Sequence, residues 1–94
     1  METAFVLINV EVGKVPEVVD KLKEIPQVTE VYSIAGEYDI LVKLRFADIK
    51  ALGELVPKKL QKIQGITRTV TLLTFETHKY VNFDLSAGHK LNKE

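Results

Sequence analysis

The sequence predicts an α+β fold of the ferredoxin-like β-α-β-β-α-β kind: an antiparallel four-stranded sheet with two helices on one face. Three observations predict it. Four apolar, β-rich runs alternate with two amphipathic stripes in that order. The segment Lys21-Leu22, Ile25, Val28 recurs as Lys59-Leu60, Ile63, Ile66, so helix end, breaker and next strand occur twice in one register. The length, 94 residues, suits one domain with one modest core.

Each element has its own local signal. Ala4 to Val10 is apolar on both faces, as in a strand covered on both sides. Gly13 breaks it, and Pro16 suits a first helical turn, where its missing N–H costs nothing. Val18, Val19, Leu22 and Ile25 form one helical stripe, and Pro26 ends the helix. A second strand covers Val28 to Ala35, and Gly36-Glu37 supplies a turn. The third strand, Tyr38 to Phe46, puts Ile40, Val42, Leu44 and Phe46 on one face and Leu41, Lys43 and Arg45 on the other. Asp48 is placed to cap a second helix carrying Ile49, Leu52, Val56, Leu60 and Ile63. Pro57 inside it predicts a kink, eased by Gly53 at i−4. Gly65 stops the helix, and Arg68 to Phe75 reads as the fourth strand.

The core thus spans residues 1–75. Residues 76–94 form an extension with Tyr80, Val81, Phe83, Leu85 and Leu91, too apolar for a free solvated tail. It is expected to dock, as an added strand or on a neighbouring subunit. The first and fourth strands are apolar on both sides, so the sheet face away from the helices is also apolar. Such a face marks an interface between subunits, unless the extension folds back over it.

Composition removes several functions. Thirteen Lys+Arg balance thirteen Asp+Glu, which argues against a nucleic-acid binder relying on bulk positive charge. There is no Cys, hence no disulfide framework, zinc thiolate site or cysteine nucleophile, and a reducing cytoplasm is the expected location. No apolar run approaches the roughly 20 residues of a membrane span, and Met1-Glu2-Thr3 opens no signal peptide. His78 and His89 lack companions at metal-ligand spacing. No carboxylate pair, P-loop or nucleophile elbow is present, so no catalytic residue, cofactor or metal is expected. The runs Lys21/Lys23 and Lys58/Lys59/Lys62 read as solvated helix faces.

Three motifs carry a family resemblance: Leu22-x-x-Ile25-Pro26-x-Val28-x-x-Val31-Tyr32, then Gly36-Glu37-Tyr38-Asp39-Ile40, then Ile66-x-Arg68-Thr69-x-Thr71. Together, on this frame, they closely resemble the ligand-binding domain of the Lrp/AsnC family, also called the RAM domain, over residues 4 to about 75. The resemblance implies face-to-face dimers of the α/β-barrel kind, assembling further into rings such as octamers. It implies small effectors, typically amino acids, bound in clefts between dimers. Matching motif positions points to Gly36, Tyr38, Asp39, Thr69 and Thr71 as ligand-binding. The chain begins directly at the first strand, so it resembles the stand-alone form of the domain, without the family's helix-turn-helix, and direct DNA binding is not expected.

The residues by themselves leave alternatives. Gly36 permits close backbone approach of a ligand and Asp39 can receive an α-ammonium; equally, Gly36 makes a turn and Asp39 caps loop amides. Thr69 and Thr71 share a strand face and can hydrogen-bond a ligand, or are ordinary strand residues. Arg68 either points to solvent or pairs with Glu30. The expected function is a non-catalytic amino-acid-sensing and oligomerisation module, whose partners include full-length Lrp/AsnC regulators. The alternative is a small cofactor-free enzyme on a dimeric α/β barrel, for which the core offers only Asn9 as a polar group. An RNA-binding sheet needs aromatics on its central strands in a basic surround; Phe5 and Phe46 are on offer, but the basic surround is missing.

Overall fold

Strand β1 (Glu2–Val10) is the spine of the molecule, because it pairs antiparallel with both β3 and β4. In this computed structural model, which describes the backbone of residues 1–84 and 89–92 and the side chains of residues 1–81, the order continues α1 (Val15–Lys23), β2 (Val28–Ser33), β3 (Ile40–Phe46), α2 (Ile49–Leu55), a π-helical turn (Val56–Leu60) and β4 (Ile66–Leu73). The main sheet has the order β2-β3-β1-β4. This is the ferredoxin-like arrangement the sequence predicts.

Alternation sorts the sheet residues cleanly. Ala4, Val6 and Ile8 of β1 pair with Leu44, Val42 and Ile40 of β3, and all six are fully buried. They meet Val18 and Leu22 of α1 and Leu52, Leu55 and Leu60 of the second helix. Each Val, Leu or Ile among them contributes roughly 1.5–3 kcal/mol of burial. No described polar side chain is buried in this core.

The helix ends follow their local chemistry. Asp48 Oδ1 accepts a hydrogen bond from the Ala51 N–H at 2.9 Å, capping α2. Ile49 departs from expectation: it is 63% exposed, so the buried stripe starts at Leu52. The irregularity at Pro57 takes the form of a wider turn rather than a break. The Gln61 N–H donates to the Val56 carbonyl at 2.9 Å, one residue beyond α-helical spacing. Pro57 has no N–H to offer Gly53, and the inserted residue keeps both Val56 and Leu60 on the core.

Beyond β1, which starts two residues early at Glu2, four strand boundaries differ from the sequence reading. β2 ends at Ser33 and β3 begins at Ile40, because Gly36 at φ +145° turns the chain away and Asp39 bonds to β1. β4 starts at Ile66, immediately after Gly65 at φ +104°, with Ile66 opposite Val10. It stops at Leu73, where Thr74 closes the ladder with its N–H and hydroxyl both on the Thr3 carbonyl, at 3.3 and 2.8 Å.

The face away from the helices is open. One row across all four strands is Tyr32, Leu41, Leu7 and Val70. The next is Glu30, Lys43, Phe5 and Leu72. Tyr32 and Leu72 are each 49% exposed there. The chain after β4 returns toward this face, since the Tyr80 ring lies 5.8 Å from Lys43 Nζ. Strands β5 (Val81–Asp84) and β6 (His89–Asn92) pair with each other in a separate sheet and do not extend the main one. Among the described residues no helix is long and apolar enough to cross a membrane.

Candidate functional site

The end of β1 is where the third sequence motif meets the second. A bulge between Asn9 and Val10 interrupts the β1–β4 ladder, while on the other side the β1–β3 pairing ends at Ile8 and Ile40 and leaves backbone groups of β1 in need of partners. Asp39 supplies them. Its N–H donates to the Ile8 carbonyl at 3.0 Å, and its Oδ2 accepts from the Val10 N–H at 2.9 Å. Its own carbonyl accepts from the Ile34 N–H at 3.0 Å, which closes the β2–β3 loop. Gly36 sits at the exposed crest of that loop. The half-buried carboxylate is thereby oriented by one oxygen, while no other hydrogen bond to it occurs among the described residues.

Tyr38 precedes Asp39 and stacks with Arg68, whose guanidinium carbon lies 5.7 Å from the ring centre. Arg68 stands opposite Asn9, so Asp39 and Arg68 flank the same end of β1 from its two sides. An anion and a cation held beside one strand end match the ammonium and carboxylate of a zwitterion. Sequence reading gives Arg68 only as solvent-facing or as a partner of Glu30, not as a ligand-binding residue. Its signal lay in the register of β4 on β1, which no local pattern reveals.

Thr69 and Thr71 lie elsewhere. They stand opposite Ile8 and Val6, so alternation turns them to the helix side of the edge strand, away from Arg68. The Thr69 hydroxyl is engaged there, accepting from Gln61 Nε2 at 3.0 Å. Thr71 is exposed. The structure therefore brings Gly36, Tyr38 and Asp39 together with Arg68, and sets the two threonines on the other face.

Glu30 is paired on the open face, with Lys43 and not with Arg68. The Tyr32 hydroxyl donates to Glu30 Oε1 at 2.7 Å, and Lys43 Nζ to Oε2 at 3.3 Å. The Tyr32 hydrogen bond, helped by Lys43 and opposed by partial burial, holds the Glu30 carboxyl below its ordinary value; the same carboxylate raises Tyr32. Among the described residues no group of three or more His, Cys, Asp or Glu gathers to hold a metal. His78 is exposed, and the side chain of His89 lies outside the described residues.

Similarity to known proteins extends over most of the chain. The family model of the Lrp/AsnC ligand binding domain matches residues 3–82, seven residues beyond Phe75. The chain is 42% identical over 80 residues to an uncharacterized HTH-type transcriptional regulator of Pyrococcus furiosus, covering 82% of this chain and 53% of that protein. It thus spans about half the length of the curated relatives it matches. A crystal structure of a protein from Thermus thermophilus superposes with a TM-score of 0.81 at 38% identity, covering 85% of this chain and 100% of the other. A feast or famine regulatory protein from M. tuberculosis, solved in complex with L-methionine, superposes with a TM-score of 0.74 at 25% identity, over 85% of this chain and 54% of that one.

Proposed function

The chain belongs to the Lrp/AsnC ligand-binding domain family, and on that premise we propose that it is a non-catalytic module that binds an amino acid and couples occupancy to its own assembly. The single observation that carries this reading is the pairing of Asp39 and Arg68 about the end of β1. The free oxygen of Asp39 receives the α-ammonium, and Arg68, steadied on Tyr38, receives the carboxylate. Gly36 leaves the loop crest open to the ligand backbone. Thr69 and Thr71, on the far face of the edge strand, contribute from a neighbouring copy packed against that edge. The M. tuberculosis relative complexed with L-methionine supports an amino acid as the class of effector.

Assembly uses the open face. The row Tyr32, Leu41, Leu7 and Val70 is the kind of apolar surface that a second copy buries. Dimers then join into a ring, and the segment after β4, whose Tyr80 already lies over Lys43 of its own sheet, docks on the core or on the neighbouring subunit. Full-length family regulators, which share this face, are the proposed hetero-partners, and the protein acts in the cytoplasm. Curated relatives are named as transcriptional regulators.

A thermal-shift screen of the common amino acids, read beside multi-angle light scattering, tests this. A ligand that binds the native state must raise the melting temperature, and one that favours an assembly must change its mass. Absence of any shift at millimolar amino acid overturns the sensing reading. A monomeric mass at all concentrations overturns the assembly reading.

A further inference from the structure

The helix layer carries a second, differently charged site. A cavity of about 480 Å³ opens between the first turns of α1 and the end of the second helix. Its walls are Lys14, Glu17 and Lys21 from α1 and Lys59, Lys62 and Ile63 from the other side. In sequence these lysines read as solvated faces of two separate helices. Gly65 brings them together. Its φ of +104° and lack of a side chain let the turn before β4 seat on α1, where a Cβ would stand 3.1 Å from Val18 Cγ2 and 3.3 Å from Lys14 Cβ. The Glu11 N–H fixes this contact through the Gly65 carbonyl at 2.8 Å.

Charge is distributed unevenly around this cavity. Lys23 and Lys58 are satisfied by Asp20 and Glu54 on their own helices, outside it. Lys14 pairs with Glu17 at 3.3 Å. Lys21, Lys59 and Lys62 have no carboxylate within ion-pair distance among the described residues. The first turn of α1 lines the cavity through Lys14 and Glu17, and Lys21 follows one turn later on the same side. A chain of zero net charge thus concentrates uncompensated positive charge at one concave point.

We propose that this cavity binds a compact polyphosphate, the di- or triphosphate group of a nucleotide or its inorganic counterpart. Three ammonium groups without an ion-pair partner, Lys21, Lys59 and Lys62, match the charge of such a group. They are too few for duplex DNA, where tight binders typically make about 6–10 phosphate contacts. The volume lies within the range of about 300–1,000 Å³ for small-molecule sites, and Ile63 offers an apolar surface for a base. The site lies on the helix layer, so it stays open when the sheet face is covered, and it does not depend on the amino-acid site.

Isothermal titration of the full chain with inorganic tripolyphosphate, ATP and a 20-base-pair duplex decides the matter. Both phosphates should bind at low salt, with ATP the tighter if Ile63 contacts a base and the two equal if only the phosphates are held. Replacing Lys59→Gln and Lys62→Gln together should weaken binding by about tenfold or more, through loss of two charge-assisted contacts. Removing the same charge elsewhere, with Lys23→Gln and Lys50→Gln, should leave it within about twofold, since exposed charges outside the cavity are screened. No heat with either phosphate overturns the proposal. So does equal weakening by the two double variants, which means diffuse charge, or tighter binding of the duplex with a salt slope above about three, which means a nucleic-acid surface.

Discussion

The carboxylate of Asp39 accepts the Val10 N–H at 2.9 Å, while the Asp39 N–H donates to Ile8 two residues earlier on the same strand. One residue therefore clamps the end of the central strand on its β3 side. The turn-capping and ligand-binding readings of Asp39 are compatible, because a carboxylate has two oxygens and the clamp uses one.

Asp39→Ala and Asp39→Asn should separate these roles. Alanine leaves the Val10 N–H unpaired at a part-buried position and should cost about 1–3 kcal/mol in denaturant unfolding. Asparagine keeps an acceptor oxygen and should recover most of that stability. It lacks the negative charge, so an amino-acid-induced rise in melting temperature should be lost in both variants. Retention of the rise in Asp39→Asn would remove the ammonium-binding role.

Gly65→Ala should destabilise by on the order of 1–3 kcal/mol, since φ of +104° is poorly tolerated by residues with a side chain. The added Cβ also meets Val18 and Lys14 at 3.1–3.3 Å. Chemical denaturation should show a lower midpoint with an unchanged slope. Gly36→Ala tests the contrast: its φ of +145° is also strained, but nothing lies within 4 Å of the new Cβ, so the loss should be smaller.

Leu7→Lys places a charge in the middle of the Tyr32–Leu41–Leu7–Val70 row. If that row is the dimer face, the charge must be desolvated on association, and light scattering should report monomer. Leu7 faces away from the helices, so circular dichroism should still show the folded chain. An unchanged mass would mean that assembly uses another surface.

The Glu30–Tyr32–Lys43 cluster predicts a small pH dependence with a definite sign. Glu30 is lowered from 4.5 by the Tyr32 hydrogen bond first, so its contribution is present above that value and fades as pH falls through the lower folded pKa. Tyr32 is raised from 10.0 by the Glu30 carboxylate, so its contribution is present below 10 and is lost as pH rises further. Tyr32→Phe should remove the alkaline loss and weaken the acidic one, read as melting temperature against pH. Tyr32 and Glu30 are about half exposed, so solvent screens the cluster and both changes should be modest.

Much of this molecule follows from local sequence. Element order, the third-strand row Ile40, Val42, Leu44 and Phe46, the Asp48 cap and the Gly65 stop all rest on periodicity or single-residue chemistry, which act over a few neighbours, whereas which face of the doubly apolar β1 turns inward does not. Other features depended on how distant strands and helices register. The bulge at Asn9/Val10 and the placement of β4 decided that Arg68 reaches Tyr38 while Thr69 turns to Gln61. The packing of Gly65 on α1 decided that Lys21, Lys59 and Lys62 share one cavity instead of two separate wet faces. Sequence spacing fixes which face of an element a side chain occupies. Only the contacts between elements decide what that face meets, because the same stripe can be rotated, slid or bulged against its neighbour without changing its own pattern.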